Sequence, residues 1–124
     1  DLRMSRGLGD VYKRQEYLST TASNHKMINV IDYLNAHLTD DITIDFLAEH
    51  FYLSRYHLMH AFKEETGYTI GNYLTTKRLL LARDQIAQGE SITTACYACG
   101  FHNYSTFSRA YRKHFGCSPR EQRN

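Results

Sequence analysis

The stretch Ile92–Gly116, ITTACYACGFHNYSTFSRAYRKHFG, decides the fold, because it repeats the physical demands of Ile44–Gly67, IDFLAEHFYLSRYHLMHAFKEETG, about 49 positions upstream. In the earlier copy Ile44, Phe46, Leu47, Ala48 and Phe51 form an apolar helical stripe. Tyr52-Leu53 makes a short break, and Ser54 opens a second stripe through Leu58, Ala61 and Phe62 to Gly67. The later copy matches part by part: Ile92, Ala95, Cys96 and Cys99 form the stripe, Gly100-Phe101-His102 the break, and Asn103 the opening. Phe107, Ala110, Tyr111 and Phe115 then run to Gly116. Ala48 pairs with Cys96 at an offset of 48, whereas Ser54, Phe62, Lys63 and Gly67 pair with Asn103, Tyr111, Arg112 and Gly116 at 49, so one extra residue sits in the second turn.

Thr43, Ser54, Ser91 and Asn103 are good N-cap residues just ahead of apolar periodicity, and Gly67 and Gly116 stand where a helix ends in a left-handed residue. This is the outline of a double helix-turn-helix. Helical hairpins without a nucleic-acid role use the same caps and glycines, so the punctuation argues for paired helices before it argues for a function.

A chain of 124 residues is about one domain, large enough for a core. It holds no run of 18 apolar residues and no apolar segment near the N-terminus, so neither a membrane span nor a secretory signal is expected, and the expected location is the cytoplasm. Three cysteines in such a chain argue against a disulfide framework.

Ser5–Gln15, SRGLGDVYKRQ, has no helical period and no β alternation. It resembles the in-frame translation of a transposase-type sequencing adapter, whose end GAT GTG TAT AAG AGA CAG reads as Asp10-Val11-Tyr12-Lys13-Arg14-Gln15. Residues 1–22 are therefore expected to be a non-native or disordered segment, with the biological sequence starting near Glu16 and residues 23–124 forming the domain.

The first 15 residues carry the whole net charge of +2. Residues 16–65 hold 3 basic and 8 acidic side chains, and residues 66–124 hold 8 basic and 3 acidic. A polyanion would feel mostly the C-terminal half, with modest affinity and a shallow salt slope.

Ser23 or Asn24 can cap a first helix in which Met27, Val30, Ile31, Leu34 and Leu38 recur at helical spacing until Thr39-Asp40-Asp41. Thr69 can cap a long helix from Ile70 to about Gln88, with Tyr73, Leu74, Leu80 or Leu81 and Ile86 available to a core and Gly89 as its stop. At about 1.5 Å per residue such a helix is roughly 28 Å long. That is close to the roughly 34 Å that separates successive major-groove faces on one side of B-DNA. Ser118-Pro119 opens a short last helix through Gln122. The expected fold is all-α: seven helices, two helix-turn-helix subdomains and a long connecting helix.

These residues resemble the C-terminal DNA-binding domain of the AraC/XylS family of bacterial transcription regulators. The matching elements are Leu47-Ala48, Ser54, Leu58, Phe62-Lys63, Gly67, Tyr73, Arg78, Ala82, Ile92, Gly100-Phe101, Phe107, Arg109, Gly116 and Ser118-Pro119, spread over residues 26–123. Departures are few: Cys96 stands where alanine is usual, Tyr111 where phenylalanine is common, and Arg112 where lysine is common. The resemblance implies a homeodomain-like fold and binding of double-stranded DNA by two helix-turn-helix units. It also implies a companion ligand-sensing or dimerisation domain outside this chain. No cofactor is implied.

On a helix opening after Ser54, inward Leu58 and Phe62 leave Arg55, Tyr56, Met59, His60 and Lys63 outward by 3.6-residue geometry. The equivalent set after Asn103 is Tyr104, Ser105, Ser108, Arg109 and Arg112, with Thr106 and His102 at the edges. Arginine can grip guanine O6 and N7 in a fork, and Met59 or Tyr56 can meet a thymine methyl. His60 and Arg109 are the leading base readers; Lys63, Arg112 and Lys113 look like phosphate anchors. Ser54 and Asn103 are caps first, though helix N-termini also receive phosphates. Arg78 reads as an internal ion pair or backbone contact. The second copy is expected to anchor and the first to discriminate.

Cys96, Cys99, His102 and His114 spell C-x2-C-x2-H-x11-H, a weak zinc pattern because both cysteines fall on the inward stripe of a helix. An enzyme is disfavoured: no nucleophile and base are oriented by a third group, and no Gly-rich phosphate loop is present. The competing reading is a helix-turn-helix used mainly for protein contact, such as recruitment of RNA polymerase.

Overall fold

The computed structural model describes the backbone of residues 14–123 and the side chains of residues 25–121. Among the described residues there are seven helices and no strand: α1 Arg14–Ala36, α2 Ile44–His50, α3 Arg55–Thr66, α4 Ile70–Ala87, α5 Ile92–Ala98, α6 Tyr104–Phe115 and α7 Pro119–Arg123. No described helix is long and apolar enough to cross a membrane.

Caps set most of these boundaries. The side chains of Thr43, Ser54, Thr69, Ser91 and Asn103 each accept a hydrogen bond from the backbone N–H three residues on, satisfying one of the orphan donors of a helix start. Gly67 and Gly116 close α3 and α6 in left-handed backbone, each donating its N–H to the carbonyl four residues back. Ser118 Oγ accepts from Glu121 N at 3.2 Å and opens α7.

The start of α1 differs from expectation. Helix runs from Arg14, so Ser23 and Asn24 are interior and not caps, and positions 14–22 of the segment expected to be non-native or disordered are helical. No Gly or Pro interrupts residues 14–36, and extending a helix that is already packed costs little. The adapter-like residues 5–13 lie outside the described residues.

Two separate cores stand along α4. The first joins Met27, Val30 and Leu34 of α1, Leu47 and Ala48 of α2, and Leu58 and Phe62 of α3 to Ile70 and Leu74. The second joins Ala95 and Cys96 of α5, Cys99, and Phe107 and Tyr111 of α6 to Leu79, Ala82 and Ile86. Each buried Leu, Ile or Phe is worth about 1.5–3 kcal/mol of transfer free energy. At 3.6 residues per turn the two stripes of α4 are rotated from one another by roughly 130°. That rotation buries Leu79, a residue outside the expected set, while Leu81 packs half-buried against the second core as expected and Leu80 is half-buried. A single stripe continued from Ile70 and Leu74 arrives at Leu81, but α4 changes face between its two cores. Phe46, placed on the first stripe, is instead 46% exposed and stacks on His50 at 5.4 Å.

Candidate nucleic-acid interface

α3 and α6 are the second helices of the two helix-turn-helix units, and their positions correspond throughout at an offset of 49. Leu58 and Phe62 on one, and Phe107 and Tyr111 on the other, anchor the inward faces. Arg55, Tyr56, Met59, His60 and Lys63 are all exposed on α3, and Ser105, Thr106, Arg109, Arg112 and Lys113 on α6. Ser108 is half-buried. Each face centres on three equivalent positions: Tyr56 with Ser105, His60 with Arg109, and Lys63 with Arg112.

The faces differ in chemistry. The Tyr56 and His60 rings pack at 4.0 Å between centroids, making an aromatic ridge on α3. Arg109 is exposed and has no ion-pair partner among the described residues. Arg55 Nε lies 3.2 Å from Asp45 Oδ1, and Arg112 Nη1 lies 3.3 Å from Glu121 Oε1, both between well-exposed groups. Such pairs contribute little and open readily to a phosphate. Ser54 Oγ and Asn103 Oδ1 are occupied as caps, accepting from His57 N and Thr106 N at 3.0 Å.

One sequence placement is corrected in geometry. Tyr104 does not lie on the outward face: it is half-buried against the second core, with its ring 6.1 Å from that of Phe107. It is the first residue of α6, where a large ring gains more by covering Phe107 than by standing in water. His102 is exposed at the edge, as expected, and its Nε2 lies 2.5 Å from Asp41 Oδ1. His57, which is equivalent to Thr106, is exposed on α3 as well. The register between the copies is the available signal, since Thr106 borders the second face.

Arg78 makes the backbone contact expected of it. Its Nε donates to Leu38 O at 2.7 Å and its Nη2 to Asp40 O at 2.8 Å. Burial pushes the guanidinium pKa down and the Asp41 carboxylate opposes that shift. Cys96 and Cys99 are buried in the second core, and burial raises both thiols, Cys99 to about 11 with some help from Cys96.

A family model described as a helix-turn-helix domain matches residues 47–124. The HTH-type transcriptional activator RhaS of Escherichia coli O139:H28 (strain E24377A / ETEC) is 36% identical over 110 residues, covering 88% of this chain and 39% of RhaS. The chain therefore spans about two fifths of the length of the curated relatives it matches. Among solved structures, an AraC-type transcriptional regulator from Chromobacterium violaceum is 32% identical with a TM-score of 0.73, over 83% of this chain and 93% of that one. The DNA-binding domain of AdpA, solved in complex with a target DNA, is 25% identical with a TM-score of 0.74, over 79% of this chain and 89% of that one. Two capped helix-turn-helix units on one central helix, together with these matches, establish that the chain belongs to the AraC/XylS family of helix-turn-helix DNA-binding domains, the DNA-binding part of transcription regulators.

Proposed function

We propose that the chain reads a specific double-stranded DNA sequence by seating α3 and α6 in successive major-groove segments. The observation that carries this reading is the matched register of two exposed helix faces on a single α4 of 18 residues, roughly 27 Å long. Within it, Arg109 and His60 are the principal base readers, Tyr56, Met59, Ser105 and Ser108 flank them, and Thr106 and His57 border the two faces. Lys63, Arg112 and Lys113 bind phosphate, joined by Arg55 once it leaves Asp45. Tyr104 acts by supporting the start of α6 and not by touching bases.

The likeness to RhaS, a transcriptional activator, supports a role in transcription control in a longer regulator. RNA polymerase and a companion ligand-sensing or dimerisation domain complete that proposal.

Selection of bound sequences from a random DNA pool tests it. The expected result is two half-elements with centres about one helical turn apart. A pool without enrichment would overturn sequence-specific reading and favour use of the same faces for protein contact.

A further inference from the structure

The extra residue of the second turn has a defined job. The two turns begin alike: Leu53 N donates to Ala48 O at 2.8 Å and Phe101 N to Cys96 O at 3.2 Å, both at the offset of 48. The caps that follow, Ser54 and Asn103, stand at the offset of 49. His102 is therefore the inserted residue, and its side chain meets Asp41, in the loop between α1 and α2 of the other subdomain. Beside it, a Cβ on Gly100 would come within 3.0 Å of Arg78 Nε and 3.2 Å of Thr39 O. The second turn thus lies directly against the α1–α2 loop, and Arg78 holds that loop's carbonyls from α4.

The two subdomains are joined by α4, which serves their cores on two different faces. Arg78 falls between those two stripes, at the point about which the subdomains would pivot. A second tie there removes that freedom.

We propose that the clasp formed by Arg78, Gly100, the Thr39–Asp41 loop and His102 fixes the orientation of α6 relative to α3, and so sets the base-pair spacing at which two half-elements are read together. It rests on the DNA-binding reading above. Arg78, Asp41 and His102 are positioning residues: they act through the placement of the two helices and touch no base.

Two measurements on the full chain test it. Without DNA, residual dipolar couplings from the N–H groups of α2–α3 and α5–α6 should fit one alignment tensor in the parent protein. They should require two in Arg78→Met, which keeps the aliphatic stem and removes the donors. With DNA, inserting one base pair between the selected half-elements should cost the parent about tenfold in affinity and Arg78→Met under about threefold, since the freed subdomains can follow the shift. Binding to a single half-element should stay unchanged. Arg78→Lys, which keeps the charge but cannot hold both carbonyls with a planar fork, should move both readouts the same way and carries the comparison if Arg78→Met fails to fold. One shared tensor in the variants, or an unchanged spacing penalty, overturns the clasp. If the parent protein enriches no DNA, the DNA-binding reading falls and the spacing role falls with it; parent enrichment with unchanged variant spacing sinks the clasp alone.

Discussion

Tyr52 and Gly100 hold the same place in the two turns, and both are in left-handed backbone, with φ of 57° and 102°. Glycine adopts that region freely, whereas an L side chain there costs about 1–2 kcal/mol. Tyr52 is 89% exposed and recovers little by packing. Tyr52→Gly should relieve the strain and lose part of the gain to the entropy of the unfolded chain. A net stabilisation of about 0.5 kcal/mol, or roughly 2–4 °C in Tm by thermal denaturation, is expected. A lowered Tm would show that the exposed ring contributes packing after all.

Tyr111 is fully buried and its hydroxyl has no hydrogen-bond partner among the described residues. Burying an unmatched hydroxyl costs about 1–3 kcal/mol, while the ring itself fills the second core. Tyr111→Phe should therefore raise stability by about 1 kcal/mol, read as a higher urea midpoint at constant m value. A lower midpoint would mean that the hydroxyl is hydrogen-bonded in solution.

Burial, with a smaller push from Cys96, holds the Cys99 thiol up to about 11, above its ordinary 9.0. A thiol kept neutral in the folded state stabilises fully below the unfolded value. Between pH 9.0 and about 11 the unfolded chain gives up that proton and the folded chain keeps it, so stability falls as pH rises through this window. Urea midpoints at about pH 8 and about pH 10.5 should show the decline, and Cys99→Ala should show a shallower one. Equal declines in the two proteins would remove Cys99 from the account.

Arg109 and Lys113 should fail differently on DNA. Arg109→Ala should lose about 1–3 kcal/mol of binding and relax preference at one base step, whereas Lys113→Ala should weaken all sequences evenly and reduce the salt slope by about 1. Fluorescence anisotropy over a salt series, on the selected sequence and on its single-base variants, separates the two. An Arg109→Ala protein with unchanged preference would reassign that residue to phosphate.

On the proposed reading, Asp45 and a DNA phosphate would compete for Arg55. The exposed pair adds little to the fold, so Asp45→Asn should leave Tm almost unchanged and raise DNA affinity by about two- to fivefold. Unchanged affinity would place Arg55 away from the phosphates.

Local chemistry made much of this molecule readable in advance. Thr43, Ser54, Thr69, Ser91 and Asn103 cap where their hydroxyl and amide oxygens required. Leu58, Phe62, Phe107 and Tyr111 are buried at helical spacing, which leaves the outward faces of α3 and α6 determined by subtraction. The burial of Leu79 and the surroundings of Phe46 and Tyr104 escape the sequence for one shared reason: periodicity tells which residues share a stripe, and not which neighbour will cover it. An aromatic at a helix start can be stacked, exposed or folded onto a core with the same pattern.

The sequence by itself determined the duplicated register, the one-residue insertion and the helix ends other than those of α1, because caps, left-handed glycines and the 3.6-residue period act over a few adjacent positions. Only the tertiary structure decided that α4 turns different faces to two cores, that Arg78 lies between them, and that the inserted His102 reaches Asp41. Those contacts join residues about 40 and about 61 positions apart. Their energies depend on how two packed bodies meet, a relationship that no local pattern along the chain encodes.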